Sequence, residues 1–103
     1  MSSIKIRTKR LDGFTQIRTL ITHPMDNGRF RDKDSGALIP AHYIQELIVR
    51  FKGKIVVSAF LGTSISKNPY FAFRLKGGES GDQISITWLD NKGNSETRIA
   101  TIK

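Results

Sequence analysis

Seven short segments of alternating apolar and polar residues constrain the fold of this chain more than any other feature. The clearest are IKIR (4–7) and ISITW (84–88), in which an apolar side chain recurs at every second position. Side chains on a β-strand point alternately to the two faces of the sheet, so a period of two predicts half-buried strands. The other five predicted strands are residues 14–22, 43–51, 54–61, 70–75 and 96–102.

Turn residues separate most of these segments, as DG (12–13) and KG (52–53) do, and residues 62–69 form a loop. Seven short strands and no helical pattern predict an all-β fold, an immunoglobulin-like β-sandwich of about seven antiparallel strands. A small barrel is the alternative. A chain of 103 residues is of single-domain size, so we expect one domain over residues 1–103. The chain has no cysteine, so Trp88 and the phenylalanines are expected to supply the core in place of a disulfide.

The chain is strongly basic, with 17 lysines and arginines against 9 acidic residues and a formal net charge of +8. This balance indicates a polyanionic ligand or an acidic partner. Single-stranded nucleic acid is one such ligand, since Phe71 and Phe73 could form a stacking platform beside basic side chains. Both, however, alternate onto one face with Leu75, which is typical of a core face.

The sequence contains little that indicates metal binding or catalysis. A transition-metal site needs three or four converging ligands, and the chain offers His23 and His42 without a metal-binding spacing. We therefore expect both histidines to anchor the loop between them. The chain lacks a phosphate-binding loop before a helix, a nucleophile elbow and an evident acid pair, so we expect no enzymatic activity and no cofactor.

The segment DKDSG (32–36) begins like a calcium-binding loop but places glycine at the fifth position instead of the sixth. The twelfth position, which requires glutamate, holds Tyr43. The same residues suit a hairpin turn, with residues 29–31 pairing against 37–39.

Three blocks of residues carry a resemblance to a known family. They are HPM (23–25) with GALIPAH (36–42), then SKNPY (66–70), then KGG (76–78) with Trp88 and DNKG (90–93). In this order, and over essentially all 103 residues, the chain resembles the SoxZ family, the Z subunits of the SoxYZ sulfur carriers of bacterial thiosulfate oxidation.

The resemblance implies an immunoglobulin-like sandwich that pairs tightly with a SoxY subunit as a heterodimer or heterotetramer. SoxY carries sulfur intermediates covalently on a cysteine in a mobile C-terminal arm, and other Sox proteins act on them transiently. The Z subunit would then be a scaffold without catalytic residues, binding neither nucleic acid nor a membrane. The resemblance also implies a periplasmic location, reached with a signal-bearing partner, because no signal peptide is evident here.

Two parts of the chain are predicted to contact the partner. Long excursions from compact domains are usually functional, and the 23–42 segment is such an excursion with basic and apolar side chains. The 43–51 strand is apolar on both faces. Either one face is buried in the core and the other in an interface, or the strand is central to the sandwich and its outer face is covered by the 23–42 segment. The predicted contact residues are Arg29, Phe30, Arg31, Leu38, Ile39, Tyr43, Leu47, Val49 and Phe51.

Overall fold

A computed structural model describes residues 3–62 and 65–103, and these residues form two antiparallel sheets. Thr63 and Ser64 of the predicted 62–69 loop lie outside the described residues, as do Met1 and Ser2. No helix in the described part of the chain is long and apolar enough to cross a membrane. The strands are β1 (Ile4–Leu11), β2 (Phe14–Ile21), β3 (Ile44–Phe51), β4 (Lys54–Phe60), β5 (Tyr70–Lys76), β6 (Gln83–Asp90) and β7 (Ser95–Thr101).

The two sheets pack as the layers of a sandwich. One sheet has three strands in the order β1-β2-β5, and the other has four in the order β4-β3-β6-β7. The predicted all-β sandwich of seven antiparallel strands is therefore confirmed. The chain passes from the three-stranded to the four-stranded sheet through residues 22–43, so this long connection lies at one end of the sandwich.

The core consists of the inward-facing residues of both sheets, and most of them are isoleucines. Ile17 and Ile21 face inward from β2, and Ile84 and Ile86 face them from β6, each about 1% exposed or less. Burying such a side chain stabilises the fold by roughly 1.5–3 kcal/mol. Among the described residues, the buried cluster contains Ile4, Ile17, Ile21, Met25, Ile44, Leu47, Val49, Ile84, Ile86 and Trp88.

The prediction that aromatic residues supply the core is correct for Trp88 but wrong for the phenylalanines as a group. Phe60 is 82% exposed and Phe30 is 67% exposed. Phe71 and Phe73 are partly buried and pack against the core from β5. Their rings are therefore core contacts, and the stacking platform for nucleic acid that they could have formed is not present.

A β-bulge in β3 changes which side chains share a face. The pairing of β3 with β6 shifts between Ile44 and Glu46, so one extra residue enters β3 at Gln45. Ile44 and Leu47 consequently both point into the core, although their spacing of three would put them on opposite faces of a regular strand. The bulge therefore separates Ile44 from Ile48, which a regular period of two would place on the same face.

Two neighbouring glycines allow a direct test of the packing where β5 leaves the sheet. Gly78 has φ +85°, and a Cβ built there would lie 2.6 Å from the buried Thr15 Oγ1. Gly77 has φ +80° but no atom within 4 Å of such a Cβ. Both alanine variants incur the strain of positive φ, and Gly78→Ala adds overpacking of about 1–3 kcal/mol. We expect urea unfolding to show Gly78→Ala less stable than Gly77→Ala by that amount; equal stabilities would contradict the close packing at Thr15.

Candidate functional site

The connection between β2 and β3 forms a projecting hairpin, residues 26–42, which we call the arm. At its base Asp26 and His42 pair antiparallel, through backbone hydrogen bonds of 2.7 Å and 2.9 Å. Farther out, Arg31 pairs with Leu38 across the same hairpin. The predicted pairing of residues around 29–31 with those around 37–39 is therefore confirmed.

The tip of the arm is a turn organised by one aspartate. The Asp32 carboxylate accepts hydrogen bonds from the backbone N–H groups of Asp34 (2.8 Å) and Ser35 (3.0 Å). The bond from Ser35 is the larger cause, and that from Asp34 the next, of a pKa for Asp32 below its usual value. The Gly36 N–H donates to the Asp32 carbonyl at 2.9 Å and closes the turn. Asp32 therefore stabilises the turn. This agrees with the prediction that residues 32–36 form a hairpin turn.

Most of the arm is accessible to a partner. Every residue from 29 to 38 is exposed, and among them Phe30 is 67% and Leu38 51% exposed. The molecule is 52 Å long, whereas an eight-residue strand spans about 26 Å, which is consistent with an arm that extends beyond the end of the sandwich. The arm thus presents apolar and basic side chains on a mostly solvated hairpin.

Three side chains from separate parts of the chain hold the base of the arm. The Nε2 atoms of His23 and His42 lie 3.2 Å and 2.8 Å from the same oxygen, Oδ2 of Asp90. The two imidazole rings meet edge to face with centroids 4.5 Å apart, and the His23 ring also packs on Trp88. We call His23, His42 and Asp90 the clamp. It fastens His42 at the end of the arm, and His23 just before its start, to the end of β6, so the expected anchoring by the two histidines is present.

Asp90 is the centre of the clamp and accepts five hydrogen bonds although its side chain is buried. Oδ1 accepts the backbone N–H groups of Lys92 and Asn94, and Oδ2 accepts the two histidines and the Asn94 side-chain amide. Burial alone would raise the pKa of Asp90, but these hydrogen bonds outweigh it and hold the pKa well below its usual range. Asp90 is therefore an ionised carboxylate whose acceptor capacity is fully used.

Two asparagines extend the clamp to neighbouring segments. Asn91 donates from its side-chain amide to the carbonyl of Ala41 and accepts the N–H of Tyr43. Asn68, in the segment before β5, accepts the His23 N–H at 3.0 Å, and its own N–H donates to the His23 carbonyl at 2.9 Å. The base of the arm is thereby tied to both sheets of the sandwich.

The clamp contains the residue types that bind metal ions, and its ligand atoms lie within 4.8 Å of one another. Nδ1 of His23, however, accepts the backbone N–H of Met25 at 3.2 Å, so the neutral ring carries its proton on Nε2 and donates it to Asp90. A metal on that Nε2 would require a nitrogen without a proton, and Asp90 Oδ2 already accepts three hydrogen bonds. The geometry suits a hydrogen-bonded clamp better than a metal centre.

The clamp predicts how stability depends on pH. Burial is the main cause of a lowered pKa for His23, and the neighbouring His42 adds to it. Unfolded histidine titrates near pH 6.5, so below that pH the unfolded chain binds the proton more tightly than the folded chain. We expect the free energy of unfolding to fall as the pH drops from 6.5 through the lowered pKa of His23. Denaturant unfolding across this range should show a weaker pH dependence for His23→Gln, and an unchanged slope would contradict this role.

The outward surface of the four-stranded sheet is a second candidate site, which we call the outer apolar face. Cross-strand pairing places Phe60 and Leu89 on either side of Glu46 at the end nearest the arm. At the other end, Ile55 and Ile99 are 57% and 60% exposed. Between these ends lie Ile48 and small hydroxyl side chains, and the charged residues in these rows are Glu46 and Arg50. Four large apolar side chains exposed on one face of a sheet mark it as a candidate interaction site.

The predicted contact residues lie in three places: on the arm, beside the outer apolar face and in the interior of the sandwich. On the arm, Arg29, Phe30, Arg31 and Leu38 are exposed and Ile39 is half-buried. Tyr43 is half-buried and borders a groove on the outer apolar face, beside Phe60, Leu61 and Leu89.

The remaining three predicted residues face the interior. Leu47 and Val49 are each 1% exposed, so contact between their side chains and a partner is excluded, and that part of the prediction is corrected. Phe51 lies on the same inner face and is half-buried. The exposed apolar residues of this sheet lie on its other face. The prediction chose the wrong face because period-two patterning alone does not say which face of a strand is the core.

Asp90, the central residue of the clamp, appears in the sequence only as part of the DNKG block (90–93) and was not predicted as a site residue. It follows Ile84, Ile86 and Trp88 at the same spacing of two, so its side chain points inward and is buried. A buried aspartate needs several hydrogen-bond donors around it. An aspartate at an inward-facing position of a predicted strand was therefore the feature of the sequence that could have identified this site.

Comparison with known proteins gives one family. The family model for the sulphur oxidation protein SoxZ matches residues 4–101 of the 103 residues. The match therefore spans both sheets, the arm and the clamp. No curated protein matches the chain.

Proposed function

Because this chain belongs to the SoxZ family of sulfur oxidation proteins, we propose that it is the non-catalytic scaffold subunit of a sulfur-carrier complex of the Sox system. In this role it pairs with a SoxY-type subunit, whose C-terminal cysteine covalently carries sulfur intermediates, and other Sox proteins act on the carried group. The complex works in the periplasm, to which the partner's signal directs both chains.

The outer apolar face is the observation that carries this proposal. Four strands of about eight residues cover roughly 500 Å², whereas a stable heterodimer buries about 800 Å² on each side. The arm adds Phe30 and Leu38 at the end of the sheet where Phe60 and Leu89 are exposed. The arm therefore adds area to the face, and both contribute the exposed apolar side chains expected in a lasting subunit interface.

Two properties of the sequence support a scaffold for a thiol-bound cargo. The chain has no cysteine, so it has no thiolate that could attack a carried persulfide and remove it by exchange. Its formal charge of +8 favours the approach of anionic species, such as a sulfonate or thiosulfonate carried on the partner.

The chemistry of the described residues also supports a non-catalytic role. The histidines and the buried carboxylate that a catalytic site might use are engaged in the clamp. Their hydrogen bonds hold the arm in place, which is the task of a subunit that presents a surface.

The same charge change made on each of the two sheets tests where the partner binds. Phe60→Lys places a charge at the centre of the proposed contact and is expected to weaken binding of the SoxY-type subunit at least tenfold, about 1.4 kcal/mol. Tyr70→Lys is the matched control, because Tyr70 is an exposed aromatic residue (58%) on the three-stranded sheet. Isothermal titration calorimetry should find Tyr70→Lys within about twofold of the wild-type affinity.

Two results would count against the proposal. If both variants bind as the wild type does, the interface lies elsewhere on the chain. If the wild-type chain does not bind a SoxY-type subunit at all, the scaffold role itself is wrong.

A further inference from the structure

The outward surface of the three-stranded sheet concentrates positive charge. Its six basic side chains are more than a third of the 17 in the chain, and the outward positions of these strands contain no carboxylate. The other outward residues are apolar, aromatic or an amide. We call this surface the cationic face, and its basic residues are Lys5, Arg7, Lys9, Arg18, Arg74 and Lys76.

Among the described residues, no carboxylate neutralises the charge on this face. Arg7 lies directly opposite Arg18 in the pairing of β1 with β2, and like charges at such positions repel each other. In residues 3–62 and 65–103, none of the six basic side chains forms an ion pair with a carboxylate. An anionic ligand would relieve this repulsion, so the face is arranged for a negatively charged partner.

The cationic face also contains a depression. A depression of about 380 Å³ lies between β1 and the β2–β5 pair, with Lys5, Arg7 and Arg18 around it and Leu20 and Tyr70 in its lining. Leu20 is 38% and Tyr70 58% exposed, so the depression offers apolar and aromatic surface inside a basic rim.

A second groove continues the positive surface around the edge of β1. It has a volume of about 410 Å³, and its basic lining residues are Lys5, Arg7, Arg98 and Lys103. No acidic side chain is among its lining residues. The positive surface therefore extends from the sheet toward β7, which suits an extended acidic ligand.

We propose that the cationic face docks an acidic segment of another protein, which inserts one apolar side chain into the depression at Leu20. Arginines favour carboxylates because the planar guanidinium can bind both carboxylate oxygens at once. The combination of a basic rim with an apolar floor matches an acidic peptide better than a uniformly charged polymer.

Two other anionic partners fit the face less well. Single-stranded nucleic acid stacks successive bases on several exposed rings, whereas this face offers the single ring of Tyr70, because the guanidinium of Arg74 covers Phe14 at 4.9 Å. A bilayer surface requires apolar side chains that project beyond the basic ones, whereas Leu20 lies within the depression. The chemistry that the face recognises is therefore carboxylate groups flanking one apolar residue.

This docking does not depend on the proposed subunit pairing. The cationic face and the outer apolar face lie on different sheets, so a SoxY-type subunit bound at the outer apolar face, as proposed above, would leave the cationic face open. A visiting protein could then approach the complex from the opposite side.

The test measures binding of a fluorescein-labelled peptide of aspartates and glutamates with one central leucine, by fluorescence anisotropy. Arg7→Glu/Arg18→Glu changes the cationic face, and Arg29→Glu/Lys33→Glu changes the arm. Each pair replaces two positive charges by two negative ones, so both lower the formal charge by four, from +8 to +4. We expect the face variant to bind at least tenfold more weakly and the arm variant to remain within about threefold of the wild type.

Leu20→Ser tests the depression separately from the charge. It should weaken binding of the leucine peptide severalfold and leave unchanged the binding of a peptide in which serine replaces that leucine.

Equal losses in the face and arm variants would overturn the proposal, because binding would then follow total charge. Tighter binding of an oligothymidine or of phosphatidylglycerol vesicles, lost in the face variant, would also overturn it. Titrating the SoxY-type subunit against the same face variant tells the two proposals apart, since pairing should be unaffected.

Discussion

Replacing Asp90 with asparagine is expected to lower the free energy of unfolding by about 3–5 kcal/mol, the usual cost of breaking a buried network of charged hydrogen bonds. Asparagine keeps the shape of the side chain but exchanges one acceptor oxygen for an amide donor. If that amide faces the histidines, the Nε2–H groups of His23 and His42 lose their acceptor. If it faces the other way, the backbone N–H groups of Lys92 and Asn94 lose theirs.

Urea unfolding followed by circular dichroism measures this effect, and Asp34→Asn is the control. Asp34 lies exposed in the turn of the arm, so its amide variant should change stability by no more than about 0.5 kcal/mol. A loss at Asp90 as small as that at Asp34 would mean that the clamp does not hold the arm.

Shortening the arm is expected to weaken binding of the SoxY-type subunit at least a hundredfold, about 2.7 kcal/mol. The variant joins Gly28 to Pro40 through a two-residue turn and so removes residues 29–39. The connection is short, because a Cβ built on Gly28 would lie 3.3 Å from the Cβ of Ala41. The Asp26–His42 pair and the clamp stay intact.

The shortened chain should remain folded, because the removed residues are almost all exposed. We expect its free energy of unfolding to change by less than about 1 kcal/mol. A full-length variant with Phe30→Ser and Leu38→Ser separates the apolar contacts from the length of the arm and should lose much of the same affinity. Wild-type affinity in the shortened chain would remove Arg29, Phe30, Arg31, Leu38 and Ile39 from the predicted interface.

The strands were predictable because their signal is local. Alternation over residues 84–88 is enough to identify β6, and each turn sequence marks where a strand stops. The bulge at Gln45 was not predictable, because an inserted residue breaks the period on which the prediction relies. The choice of core face for Leu47 and Val49 depends on which sheet lies opposite, and this information is not present in a single strand.

The candidate sites depend still more on tertiary structure. Asp90 is 67 residues from His23 and 48 from His42, so no local motif joins them. The alternation of Lys5, Arg7 and Lys9 is visible in the sequence, but only the register of β1, β2 and β5 brings Arg18 and Arg74 onto the same face.

Native mass spectrometry of the protein purified from its own cells, grown on thiosulfate, tests the carrier-scaffold role most directly. We predict a 1:1 complex with a second chain whose terminal cysteine bears additional sulfur mass, while the present chain remains unmodified. A chain that appears alone, or with nucleic acid and without a thiol-bearing partner, would contradict that role.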